Sequence, residues 1–258
     1  MRSIPARERS KETSARRRTA KRKTAAKTLH AKRFPNESKS YRGAREKLLK
    51  AEMELRKKVE AVAALRRKLP LGGAVPEDYE FEEGAADLED TQTVRRVRMS
   101  ELFGRDGSLI VYSYMYGPAM ARACPMCTSM LDSLNGAAQH AGQRVNIAVV
   151  AKSPIQRIRE IARERGWRNL RLLSSAGNSY NRDYYGEDET GAQTPSLNVF
   201  TRDGDAVRHT WGSELMFAPT DPGMHPRHID MMWPLWNLFD LTREGRGKDW
   251  FPKLAYGA

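Results

Sequence analysis

Two cysteines, separated by two residues, stand where an apolar run gives way to a helix-like stretch. They are Cys124 and Cys127, the only cysteines in the 258 residues. The run 109–116 predicts a buried strand, and residues 128–141 predict a helix. A helix N-terminus stabilises a thiolate through its unpaired N–H groups and macrodipole, and Pro125 suits the first turn because its missing N–H would be unpaired there anyway. The pattern favours redox chemistry at a junction between strand and helix.

The spacing of the cysteines argues against a structural staple, because a disulfide across two residues closes only a small loop. No run of eighteen apolar residues is present, so no membrane span is expected. The basic start of the chain lacks the apolar stretch of a secretory signal. A close dithiol without an export signal predicts a reducing compartment, and we expect the cytoplasm.

Charge is concentrated at the start of the chain. Residues 1–70 carry 24 Lys+Arg against 7 Asp+Glu, whereas residues 71–258 carry 21 against 25. Residues 1–37 are polar and rich in Lys, Arg, Ala and Thr, so we expect a disordered basic arm. Such an arm could make a weak electrostatic contact with nucleic acid, or it could be a solvated tail.

A helical pattern follows the arm. Leu48, Leu55 and Val62 recur every seven residues within 38–70, and Pro70 with the following glycines ends the pattern. This amphipathic helix could dock on the body of the protein or pair with a second copy as a homodimer. We therefore expect three segments: a basic arm at 1–37, an N-terminal helix at 38–70 and one domain at 71–258.

Strands and helices alternate in the body, which predicts an α/β domain with a partly parallel sheet. The order of strand, Cys-x-x-Cys, helix and, far downstream, Thr194-Pro195 before a strand and hairpin resembles the thioredoxin superfamily. This resemblance implies a mixed central sheet flanked by helices, here with an N-terminal helical extension. It also implies that Pro195 is cis and faces the dithiol, so that Thr194 and Pro195 bind substrate. Arg122 adds a cation close to Cys124 in the sequence, and we predict that it binds substrate together with Thr194 and Pro195.

A closer resemblance covers most of residues 40–256. It is carried by the segments 124–129, 174–178, 211–215 and 233–238, which are similar to an uncharacterised bacterial family. Members of that family are described as thioredoxin-like dithiol–disulfide oxidoreductases without an assigned substrate.

The chain also departs from better-known relatives. Ala123 stands where thioredoxin has a tryptophan, and Tyr112 stands where it has a buried aspartate that accepts the proton of the second cysteine. Peroxiredoxins carry a proline and a threonine at the positions of Gly117 and Ala121. The absence of that proline and threonine disfavours peroxidase chemistry.

We therefore predict thiol–disulfide exchange, with Cys124 as the attacking thiolate and Cys127 as the resolving thiol. The expected partner is a disulfide on a protein or on a small thiol, and no cofactor or metal is predicted. An inert buried pair is one alternative. Another is a zinc site completed by two of His140, His209, His225 and His228. At the level of the whole protein, the alternatives are a non-catalytic binding module of the same fold and a thiol peroxidase.

Overall fold

A computed structural model describes residues 28–104, 107–222, 224–247 and 249–256. The chain divides into two compact units, with the boundary between Ala64 and Leu65. The expected arm at 1–37 lies largely outside the described residues. Helix α1 occupies Lys39–Arg67, close to the predicted limits, and buries none of its side chains. The expected segment boundaries of the N-terminal part thus stay a prediction, although the helix itself is present.

The second unit is built on one seven-stranded sheet. Its strands are β1 (Glu80–Gly84), β2 (Val94–Arg98), β3 (Ser108–Ser113), β4 (Asn146–Ala151), β5 (Arg171–Ser174), β6 (Ser196–Asp203) and β7 (Ala206–Gly212). Its helices are α2 (Pro125–Ala141), α3 (Ile155–Arg165), α4 (Tyr180–Asp183) and α5 (Pro234–Asp240), with short 3₁₀ turns at Met99–Leu102 and Glu214–Met216.

The strand order is β2-β1-β5-β4-β3-β6-β7. Strands β3, β4 and β5 are parallel, and every other pairing is antiparallel. The crossovers from β3 to β4 and from β4 to β5 step in the same direction, so right-handed connections place α2 and α3 on the same face. Together with the hairpin β6–β7 beside β3, this mixed sheet confirms the predicted thioredoxin-like α/β fold.

Side chains of the sheet alternate between two apolar clusters. On β3, Ile110 and Tyr112 face α2 and α3, whereas Leu109 and Val111 face the opposite cluster. The opposite cluster is covered by short elements, among them Leu102 of a 3₁₀ turn and Tyr180 of α4. Strand β3 is therefore buried on both faces, which explains its nearly continuous apolar sequence.

Several predicted details differ from the structure. The polar composition of residues 176–193 predicts a loop, but the segment contains α4, since Tyr180 buries its ring in the core. The pair Ser153-Pro154 predicts a helix with Pro154 at its first position, but Pro154 is the N-cap of α3. The sequence predicts a last helix over 231–240, but that helix begins only at Pro234. No helix within the described ranges is both long and apolar enough to cross a membrane.

Arg159 of α3 holds the connection between β1 and β2. Its buried guanidinium donates hydrogen bonds to the backbone carbonyls of Ala85 and Asp87 at 2.6 Å each and to that of Asp90 at 2.8 Å. Gly84 leaves room for this side chain, because a Cβ there would lie 2.5 Å from the Arg159 Cδ. A single cation thus donates to three backbone carbonyls of this connection.

Replacing Arg159 by alanine should lower the free energy of unfolding by about 3 kcal/mol, because the carbonyls lose charged donors. Arg96→Ala is the control, since Arg96 is exposed and makes a surface ion pair with Glu80. That change should cost less than about 1 kcal/mol. Denaturant unfolding measures both, and equal losses would contradict the role given to Arg159.

Candidate active site

The dithiol lies in the connection from β3 to α2, at the start of the helix. Beyond Ser113, the Tyr114 N–H still donates to the Val150 carbonyl at 2.8 Å, so the backbone continues in the sheet direction. The Cys124 N–H then returns to the Met115 carbonyl at 3.1 Å. Cys124 is the N-cap of α2, with extended backbone angles, and Pro125 opens the helix. The cysteine at the cap is therefore fixed against the end of β3.

Arg157 of α3 holds the loop between β3 and α2. Its guanidinium donates to the carbonyl of Met120 at 2.7 Å and to that of Pro118 at 3.2 Å. It also lies over the Tyr116 ring, with Cζ 4.5 Å from the ring centroid. The loop that leads into the dithiol is thus anchored from a neighbouring helix.

The two cysteines are free thiols that approach each other to 3.4 Å. Cys124 is half-buried, whereas Cys127, one turn into the helix, is 3% exposed. One sulfur can therefore meet a substrate while the other is shielded from it. The distance between them fits a Cys-x-x-Cys pair in its reduced form.

The pKa values of the two thiols are shifted in opposite directions. A hydrogen bond from the Cys127 thiol lowers the pKa of Cys124 to about 6, and the N–H groups of Cys127 and Met126 at the helix start also lower it, against the effect of burial. The same hydrogen bond raises the pKa of Cys127 well above its usual range, and burial is the second-largest cause of that rise. Cys124 is accordingly the thiolate at neutral pH, and Cys127 keeps its proton.

Tyrosines line the dithiol from the sheet side. Tyr112 is fully buried, and its hydroxyl makes no hydrogen bond of ordinary geometry. Burial raises the pKa of Tyr112 well above its usual range, and Cys127 is the neighbour that raises it most. Two residues on, the Tyr114 hydroxyl lies 2.7 Å from Thr128 Oγ1, which donates to the Cys124 carbonyl at 2.9 Å.

The sheet register places Pro195 at the same edge as the dithiol. Ser196 opposes Ser113, so Pro195 stands one residue beyond the last pair between β3 and β6. The predicted cis bond is wrong, because no peptide bond in the described ranges is cis. The Thr194 N–H donates to the Gly186 carbonyl at 3.0 Å, and the Thr194–Pro195 bond is trans, the isomer that X–Pro bonds favour.

The other predicted site residues are less closely tied to the sulfurs. Thr194 is half-buried beside Pro195, and substrate contact by this pair stays a prediction. Arg122 is exposed, and it is not among the groups that lower the pKa of Cys124. The helix start and Cys127 stabilise the thiolate without it.

The histidines of the zinc alternative do not gather at the dithiol. Within the described ranges, no three side chains of His, Cys, Asp or Glu lie close enough together to hold a metal ion. His228 is buried in the C-terminal segment, where burial lowers its pKa to about 4.

Some residues that shape the site were missed at the level of sequence. Thr128 could have been found, since a threonine four residues after a helix cap often bonds back to that residue's carbonyl. Arg157 could not, because its partners lie 37 and 39 residues away along the chain.

The fold and the site define a thioredoxin-fold protein with a Cys-x-x-Cys dithiol at a helix start. The chain belongs to a bacterial family described as bacterial protein of unknown function (DUF899), whose family model matches residues 31–256. No curated protein matches the sequence.

Solved structures of low sequence identity share part of the architecture. A reduced 2-Cys peroxiredoxin from Plasmodium vivax is 15% identical, with 55% of this chain and 83% of that chain covered and a TM-score of 0.42. Peroxidoxin BcpB from Mycobacterium tuberculosis is 20% identical, with 64% and 94% covered and a TM-score of 0.39. An uncharacterised conserved protein from Geobacillus kaustophilus is 13% identical, with 72% and 94% covered and a TM-score of 0.41. Likeness at this level is not evidence of a shared activity.

Alkylation of Cys124 should accelerate as the pH rises through about 6, because only the thiolate reacts. In Cys127→Ala the donating thiol is gone, so the midpoint should move upward, toward the ordinary cysteine value of about 8.5. Iodoacetamide labelling across a pH series, read by mass spectrometry, measures both midpoints. Identical midpoints in the two proteins would contradict the shared hydrogen bond.

Proposed function

We propose that this protein is a thiol–disulfide oxidoreductase in which Cys124 attacks and Cys127 resolves. The observation that carries the proposal is the pairing of a half-buried, low-pKa thiol with a shielded, protonated thiol 3.4 Å away. An inert structural pair has no need of one ionised and one protonated sulfur. Two-step thiol–disulfide exchange uses both, because an ionised sulfur attacks first and a shielded sulfur resolves the mixed disulfide.

The first step forms a mixed disulfide. The Cys124 thiolate attacks one sulfur of a substrate disulfide, a bond forms between Cys124 and that sulfur, and the other half of the substrate leaves as a thiolate. In the second step Cys127 attacks the Cys124 sulfur, gives up its proton and releases the rest of the substrate as a thiol. The substrate is reduced by two electrons, and the protein is left with an intramolecular disulfide.

The surroundings of Cys124 favour a substrate that presents its disulfide at the surface. The Cys124 side chain is only half-buried, and five cavities of about 210 to 680 Å³ in the described part of the chain are lined by other residues. A disulfide on a protein or on a small thiol fits an open site of this kind, and both stay within the proposal. The proposal also includes a reducing compartment, such as the cytoplasm, as the place where the protein acts.

The N-terminal helix supports a second candidate, a binding module whose thiols do not cycle. All side chains of α1 are at least partly exposed, including the apolar Leu48, Leu55 and Val62 of its seven-residue repeat. A homodimer through this stripe and a nucleic-acid contact of residues 1–37 stay predictions. The peroxidase alternative has no supporting hydroxyl at position 121, where an exposed alanine stands.

The reduction potential of the Cys124–Cys127 pair tests the proposal. A reversible intramolecular disulfide should titrate between about −120 and −270 mV in glutathione buffers, the range of catalytic thioredoxin-fold dithiols. Alkylation and mass spectrometry read the two forms. If the folded protein forms no disulfide across that range, the oxidoreductase proposal fails and the binding module takes its place.

Cys127→Ser should accumulate mixed disulfides on Cys124, because the second step is blocked while the first remains. Non-reducing gels and mass spectrometry of protein exposed to glutathione disulfide detect the adduct. Cys124→Ser is the matched control and should form none. An adduct of equal yield on Cys127 in that control would reverse the roles of the two sulfurs.

A further inference from the structure

Resolution of the mixed disulfide poses a problem that the dithiol alone does not solve. In the reduced protein the Cys127 thiol donates a hydrogen bond to the Cys124 thiolate. Once Cys124 is bonded to a substrate sulfur, that charge is gone. Cys127 must then develop negative charge at a position that is 3% exposed. Burial of an unpaired charge is costly, so a hydrogen-bond donor at this place would matter.

The structure offers one such donor on the sheet side of the dithiol. Tyr112 lies on β3 between Val149 of β4 and Leu197 of β6, in the same apolar cluster as Cys127. Its hydroxyl is buried without a hydrogen-bond partner of ordinary geometry, although buried hydroxyls usually have one. Tyr112 and Cys127 belong to one buried cluster; accordingly, Cys127 raises the pKa of Tyr112, and Tyr112 lowers the pKa of Cys127.

We propose, on the basis of the oxidoreductase function above, that the Tyr112 hydroxyl donates a hydrogen bond to Cys127 while that sulfur carries negative charge. The hydroxyl is a donor and not a base, since its burial opposes loss of its own proton. In the second step the Cys127 sulfur bonds to Cys124, the bond from Cys124 to the substrate sulfur breaks, and the Cys127 proton goes to the departing sulfur. In the reverse direction the same hydroxyl stabilises Cys127 as the leaving thiolate.

The position also accounts for a departure from the related folds. Tyr112 occupies the place at which the resemblance to thioredoxin puts a buried carboxyl group. A carboxylate there would accept the proton of the second cysteine, whereas a tyrosine hydroxyl stabilises the thiolate by donating to it. The two solutions serve the same step with opposite directions of the hydrogen bond.

Stopped-flow reaction with the aromatic disulfide dithiobis(nitrobenzoic acid) separates the two steps. Attack by Cys124 releases one coloured nitrothiobenzoate, and resolution by Cys127 releases the second. In Tyr112→Phe the first release should be unchanged, and the second should slow about tenfold at neutral pH, the loss expected for a hydrogen bond to a charged group. The defect should shrink as the pH rises, because hydroxide then ionises Cys127 without help.

Tyr180→Phe is the matched control. Tyr180 is also fully buried with an unpartnered hydroxyl, but it faces the opposite side of the sheet. Its loss should leave both releases unchanged. Equal second-release rates in wild type and Tyr112→Phe at every pH would overturn the role of Tyr112, as would an equal slowing in Tyr180→Phe.

A ring-fluorinated tyrosine at position 112 keeps the test decisive if Tyr112→Phe does not fold. Fluorine makes the hydroxyl a stronger donor, so the second release should accelerate, and an unchanged rate would overturn the proposal. Failure of the proposed function looks different: wild type itself would release one nitrothiobenzoate, or none, and form no intramolecular disulfide.

Discussion

The site depends on one proton shared unequally by two sulfurs. The Cys127 thiol donates to Cys124, which lowers the pKa of one cysteine and raises that of the other. Both pKa shifts would weaken if the helix did not place the sulfurs one turn apart, or if Cys127 were open to water. The chemistry of the pair is therefore a property of the helix start and its burial, more than of either cysteine alone.

The rest of the domain supplies that geometry. β3 is an inner strand of the sheet, with a parallel neighbour on one side and an antiparallel neighbour on the other. Just beyond its end, the Met115 carbonyl accepts the Cys124 N–H, while Arg157 ties the following loop to α3. Three separate elements thus fix a single half-buried sulfur. Such redundancy is typical of positions at which a reacting atom must be held within a fraction of an ångström.

Much of this arrangement could be predicted from the sequence, because its signals are local. The apolar run, the two cysteines and Pro125 lie within twenty residues and indicate strand, cap and helix in order. The anchoring by Arg157 and the unpartnered hydroxyl of Tyr112 could not be predicted, since both depend on which distant side chains the packed sheet brings together. The trans bond before Pro195 was missed for a related reason: a family pattern fixes the residue, whereas the local backbone decides its isomer.

The stabilised thiolate at the start of α2 ties redox state to folding. A group whose pKa is depressed in the folded protein adds stability that is complete above its unfolded value of about 8.5 and is lost as the pH falls through about 6. In the proposed disulfide form this contribution is absent, because a disulfide has no charge for the helix to stabilise. The thiolate therefore makes the folded chain harder to unfold only while the pair is reduced. By the same linkage, folding of the chain favours the reduced pair.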